Sequence, residues 1–129
     1  METTNVKAYG TAAANAPLEQ MGIQRRGVNA KDIEIDILYC GVCHSDLHTA
    51  RNDWGFTTYP TVVGHEIVGK VTKVGSEVTK LKVGDFAAVG CLVGSCQTCD
   101  NCRHDLEQYC RNGWIGTYNA PDKYLGGMT

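Results

Sequence analysis

Four of the seven cysteines in this chain of 129 residues fall in one short run, Cys96-x2-Cys99-x2-Cys102-x7-Cys110. Thiolate sulfur is a soft donor, and four such groups in so short a span can wrap tetrahedrally around one Zn2+ at about 2.3 Å each. Four thiolates leave no open coordination position, so the spacing predicts a structural site. Asp100, Asn101 and Asn112 suit the tight turns that wrapping requires. An iron–sulfur cluster is the chemical rival, because Cys-x2-Cys-x2-Cys also opens bacterial ferredoxin runs, which place the last cysteine about three residues on and follow it with proline. Here the gap is seven residues and Arg111 follows.

A second constellation is more dispersed: Cys43-His44-Ser45-Asp46-Leu47-His48, then Gly64-His65-Glu66. Cys43 and His65 are good zinc ligands, and Glu66 could be a ligand or sit behind the metal. Asp46 could accept a hydrogen bond from a ligand histidine and so orient its ring. Two protein ligands with a carboxylate and a water would make an open site of the catalytic kind. On spacing alone a Cys–His pair is equally a packing pair, Ser45 or Asp46 a helix cap, and His48 a solvated surface histidine.

The elements that must position these groups read mainly as strands. Probable strand patterns run around Val6–Tyr9 and Leu18–Arg25, and 32–39 alternates charged and apolar residues, the period of a half-buried strand. Cys40-Gly41-Val42-Cys43 breaks that period, and His44 to Arg51 reads as a short helix with Ser45 and Asp46 in its first turn. A loop through Asn52-Asp53-Trp54-Gly55 reaches Tyr59-Pro60. Glu66–Val74 reads as a strand closed by Gly75-Ser76, Val83-Gly84-Asp85 as a turn, and Phe86–Val89 as a further strand. Residues 91–116 have no hydrophobic period and read as a lobe held by metal. His104 inside it reads as a surface residue, and Cys40 and Cys91, outside both constellations, as buried small hydrophobes. The fold class is mainly β, a small distorted barrel with one short helix and a metal-bound excursion.

Composition excludes several classes. At 43% hydrophobic residues the chain can bury a core, so wholesale disorder is excluded. A net charge of −2 argues against nucleic acid as partner. No apolar run approaches the ~18 residues of a membrane span, and Met1–Gly10 lacks the pattern of a secretory signal. An odd cysteine count without such a signal points to metal binding in a reducing cytoplasm.

Gly64-His65-Glu66-x2-Gly69-x5-Gly75-x2-Val78, preceded by Gly41-Val42-Cys43-His44-Ser45-Asp46 and followed by the four-cysteine run, resembles the zinc-dependent alcohol dehydrogenases of the medium-chain dehydrogenase/reductase superfamily. Tyr39 to His48, Trp54 and Gly116-Thr117-Tyr118-Asn119 are similar to the cinnamyl-alcohol-dehydrogenase-like branch, many of whose members are NADP-dependent aldehyde reductases. The resemblance runs along essentially the whole chain. It implies an incomplete GroES-like barrel, a truncated N-terminal catalytic domain over 1–129 that includes the structural-zinc lobe 91–116. It implies a parent that interconverts alcohols and aldehydes with NADP(H), carries structural and catalytic zinc, and is a homo-oligomer.

Residue by residue, the resemblance implies that Cys43, His65 and Glu66 surround the catalytic zinc and that Cys96, Cys99, Cys102 and Cys110 hold the structural one. Ser45 would hydrogen-bond the substrate oxygen and begin a proton relay whose outer member is His48. Asp46 would orient His65, His44 would lie near the cofactor pyrophosphate, and Trp54 would wall the substrate pocket, where the bland reading is core or a loop anchor. Family members are much longer. This chain has no Gly-x-Gly-x-x-Gly after a strand, so the Rossmann domain is absent, as is the further cysteine ligand of the catalytic zinc. It reads as an N-terminal fragment whose barrel is cut at Gly127. Its alternative function is that of a zinc-binding fragment without dehydrogenase activity of its own.

Overall fold

The computed structural model describes residues 2–122, 124 and 125. Strands β1 (Thr3–Thr11) and β2 (Glu19–Arg26) pair antiparallel, and β4 (Thr61–Val62) pairs the other edge of β1, in the order β2-β1-β4. A second antiparallel sheet has the order β3-β5-β6, from β3 (Ile33–Gly41), β5 (Glu66–Val74) and β6 (Phe86–Val89). A small ribbon, β7 (Leu92–Gly94) with β8 (Ile115–Gly116), closes the base of the cysteine-rich segment. Helix α1 (His44–Arg51) joins β3 to the loop before β4, and α2 (Asp100–Arg103) lies within the cysteine lobe. The fold is mainly β, with sheets that do not close on one another among the described residues, as an incomplete barrel should be. The expected cut of the barrel at Gly127 lies outside the described residues.

The predicted strands and helix stand where the periodicity puts them. Helix α1 starts after Cys43, whose backbone is extended. It ends at Asn52 in the left-handed conformation, where Asn is tolerated. Its last carbonyls are capped from outside: the Thr57 hydroxyl donates to Thr49 O at 2.7 Å and the Tyr59 hydroxyl to Ala50 O at 2.7 Å. Strands β4, β7 and β8 and helix α2 show no periodic signal, because elements this short cannot display a period.

Two sequence expectations are corrected. Strand β3 is not half-buried along its length: Ile37, Leu38 and Tyr39 are all exposed, Tyr39 at 75%. The strand lies at the sheet edge, and over its C-terminal half neither face is covered by described residues. For the same reason Cys40 is exposed, and Cys91, entering the ribbon, is exposed too; neither is a buried small hydrophobe. The apolar core is correspondingly thin. Its buried members among the described residues are Ile23, Ala50, Val71, Cys102 and Cys110, the last two of them in the lobe. No described helix is long and apolar enough to cross a membrane.

An unpaired edge strand carrying Ile37, Tyr39 and, past its end, Val42 at 87% exposure is a template for association. The purified 129-residue chain is therefore expected to self-associate, and multi-angle light scattering should show mass rising with concentration. A compact monomer at every concentration would contradict this.

Candidate metal centres

The register of β3 on β5 brings the two halves of the dispersed motif together. After an irregularity between Ile37 and Tyr39, Cys40 pairs with Ile67 and Gly41 with Glu66. The chain leaving β3 therefore reaches Cys43 beside His65, the residue that enters β5. The pairing is close enough that a Cβ on Gly41 would stand 2.5 Å from Glu66 Oε2, so only glycine leaves the Glu66 side chain its place. Gly64, at φ 118°, makes the turn into His65 in a region that side-chain-bearing residues avoid.

Asp46 locks this arrangement. Its buried carboxylate takes the Cys43 N–H on Oδ2 at 2.9 Å, and the Gly64 N–H at 3.0 Å and His65 Nδ1 at 3.1 Å on Oδ1. An ionised carboxylate only accepts, so Nδ1 is the donating nitrogen, and the neutral ring has its lone pair on Nε2, free for a ligand. Asp46 is thus both the helix-capping group and the partner of His65, so the two readings of this residue coexist. The ligand atoms of Cys43, His65 and Glu66 lie within 4.8 Å of one another. Ser45 Oγ is 3.5 Å from Cys43 Sγ.

An aromatic row extends from this centre along α1 and the loop after it. The rings of His44 and His48 are 4.6 Å apart, those of His48 and Trp54 5.1 Å, and Trp54 stacks on Phe56 at 5.9 Å. Trp54 is half exposed, so it is not core. His48 Nδ1 meets Asp53 Oδ2 at 2.8 Å, so His48 is not simply a solvated histidine. Sequence reading missed Asp53 as its partner, although an acid five residues on, just past a helix end, is a visible signal. It also missed a role for Tyr118, whose ring stacks on His65 at 4.8 Å. Burial first, then the nearby Asp46 and Cys43, raise the Tyr118 phenol above its ordinary range, against the opposite effect of the Thr49 and Ser45 hydroxyls.

In the lobe, Cys96, Cys99, Cys102 and Cys110 also bring their sulfurs within 4.8 Å of one another. The donor set fits a metal, because backbone N–H groups already aim at sulfur as they would at thiolates. Thr98 N and Cys99 N point at Cys96 Sγ at 3.4 and 3.3 Å, and Cys96 N at Cys110 Sγ at 3.4 Å. Interactions with Thr98 first, then the Cys99 N–H, pull the Cys96 thiol down to about 5. Cys102, whose Ser95 contact works the other way, is pushed up to about 11 by burial and by Cys99. Outside the cluster, Arg111 grips Asp100 with two contacts of 2.6 Å, tying the end of the lobe to α2. His104 lies at the surface, its Nδ1 on Asp100 O at 2.7 Å.

A β-sheet framework with an open Cys–His–Glu centre beside a serine, and a separate closed cluster of thiols, defines a zinc-dehydrogenase type of catalytic domain. The family model for the alcohol dehydrogenase GroES-like domain matches residues 29–129, and the chain belongs to that family. It is 54% identical over 121 residues to the NADP-dependent alcohol dehydrogenase C 1 of Mycolicibacterium smegmatis, covering 93% of this chain and 35% of the relative. It is 55% identical over 126 residues to cinnamyl alcohol dehydrogenase 2 of Rauvolfia serpentina, covering 96% and 34%. Among solved structures it resembles a cinnamyl alcohol dehydrogenase of Sorghum bicolor, with TM-score 0.90 and 40% identity, over 99% of this chain and 36% of that one. It also resembles the CAD of Helicobacter pylori complexed with NADP(H), with TM-score 0.92 and 35% identity, over 98% and 37%. The chain thus spans about a third of the length of these relatives and corresponds to their N-terminal catalytic domain.

Two outcomes follow from this geometry. Asp46→Ala leaves the His65 and Gly64 donors without their buried acceptor and should destabilise the chain by about 1–3 kcal/mol in chemical denaturation. In the metal-free chain at pH 7, Cys96 lies above its lowered value and is a thiolate, whereas Cys102 lies below its raised value and stays protonated. Mass spectrometry after brief iodoacetamide treatment should therefore find Cys96 alkylated well before Cys102.

Proposed function

We propose that residues 1–129 form the zinc- and substrate-binding part of an NADP-linked alcohol dehydrogenase that interconverts alcohols and aldehydes. The observation that carries this reading is the convergence of Cys43, His65 and Glu66 beside the Ser45 hydroxyl. Cys43, His65 and Glu66 would hold the catalytic zinc, and Cys96, Cys99, Cys102 and Cys110 the structural one. Bound at the open site, zinc supplies Lewis acidity that lowers the proton affinity of a substrate hydroxyl or polarises a carbonyl.

The chain's own groups then do the rest. Asp46 holds Nδ1 of His65 and so turns Nε2 away from itself, toward the open centre. Ser45 accepts the hydrogen bond of the substrate hydroxyl and takes its proton as it releases its own toward His48. Ser45 and His48 are three residues apart on α1 and so share a face. Asp53 holds Nδ1 of His48, leaving Nε2 to receive the proton and, being half exposed, to pass it to water. The stacked Trp54 and Phe56 offer an apolar wall for the substrate body. His44 stands at the N-terminal end of α1, the end that favours the phosphates of a dinucleotide. When bound, a nicotinamide dinucleotide would supply the hydride donor or acceptor. The compartment we propose is a reducing cytoplasm, where clustered thiols bind metal, and the parent we propose is a homo-oligomer.

A chimera tests the proposal. Residues 1–129 would replace the matching part of the Mycolicibacterium smegmatis relative, and NADPH oxidation with an aromatic aldehyde would be followed. The chimera should turn over, and Ser45→Ala should cut kcat on the order of a hundredfold with zinc content unchanged. The 129-residue chain alone should show no turnover. An inactive but zinc-replete, folded chimera would overturn the catalytic reading, and normal turnover in Ser45→Ala would overturn the relay.

A further inference from the structure

We propose that Tyr118 is a positioning residue for the Cys43–His65–Glu66 centre, its ring fixing the plane of the His65 imidazole so that Nε2 stays turned toward Cys43 and Glu66. The inference rests on the metal reading of that centre. His65 is buried, and its polar anchor is a single contact, Nδ1 to Asp46 Oδ1 at 3.1 Å. One hydrogen bond fixes a point on a ring and leaves its plane free to swing. The Tyr118 ring lies 4.8 Å away at 17° to the imidazole, nearly parallel to it, and removes that freedom.

Tyr118 can do this because it is itself held on both sides. The preceding residue, Thr117, is buried, donates its N–H to Cys91 O at 3.1 Å and sets its hydroxyl on Gly90 O. The following residue, Asn119, accepts the Thr58 N–H at 3.4 Å. The platform under His65 is therefore delivered by the segment that follows β8, not by β3, β5 and the turns beside them, which place the ligands.

The test uses the 129-residue chain and cobalt(II) as the probe. The absorption that the wild type gains on adding cobalt and Cys43→Ser does not gain reports the open centre. An aromatic pair contributes about 0.5–1.5 kcal/mol, so Tyr118→Leu should weaken cobalt binding there roughly two- to tenfold, while Tyr118→Phe stays close to wild type. The cobalt absorption shared with Cys43→Ser, from the lobe, should be unaltered in both variants. In the metal-free wild type, proton NMR should show a nuclear Overhauser contact between the Tyr118 and His65 rings. That measurement decides the matter should Tyr118→Leu fail to fold. Wild-type cobalt affinity in Tyr118→Leu, or no contact between the two rings, overturns the role of Tyr118 alone. No Cys43-dependent cobalt absorption even in the wild type overturns the metal reading, and this inference with it.

Discussion

The buried carboxylate of Asp46 is the constraint on which the rest of the open centre depends. It ties the start of α1 to the turn before β5, joining Cys43 to Gly64 and His65 through three hydrogen bonds. A carboxylate removed from water is costly unless its lone pairs are used, and here the backbone of both loops uses them. The same contacts decide chemistry: they assign the ring proton of His65 to Nδ1 and leave Nε2 as a donor atom. Folding and function therefore converge on one side chain, and the helix-cap reading and the orienting reading of Asp46 describe the same geometry.

The two candidate metal centres are built on different physical principles. The open centre draws its ligands from separate elements, so its geometry is inherited from the β3–β5 register. The lobe draws all its ligands from one short loop, and its sulfurs are met by local N–H groups. Such a loop has almost no apolar interior of its own beyond Cys102 and Cys110. Metal binding can supply on the order of 10 kcal/mol to small thiolate-bound modules, and the lobe has the donor set of such a module. The two are nonetheless joined, because the strand that closes the lobe goes on to place Tyr118 against His65.

The thinness of the core gives the exposed edge of β3 its meaning. Small chains bury a smaller share of their surface, and here Tyr39, Val42 and Phe86 remain more than two-thirds exposed. The chain spans about a third of its relatives, and GroES-like strands and ligands are distributed along a fold of which this is one part.

The lobe was legible in the residues alone because thiol spacing is a local property: four cysteines close in sequence have to be close in space. The same holds for α1 and for Glu66–Val74, whose patterns are long enough to repeat. The union of Cys43 with His65 was suggested by residue type and by family resemblance, but the residues lie 22 apart, and only the pairing of Gly41 with Glu66 brings them together. Other features lay beyond sequence reading for a related reason. The partnership of Tyr118 with His65, the ribbon of β7 and β8, and the exposure of Cys40 and Cys91 depend on which segments pack over which. A residue's type says what it can bond; the tertiary structure decides what stands within reach, because stacking and burial are set by neighbours distant in the chain.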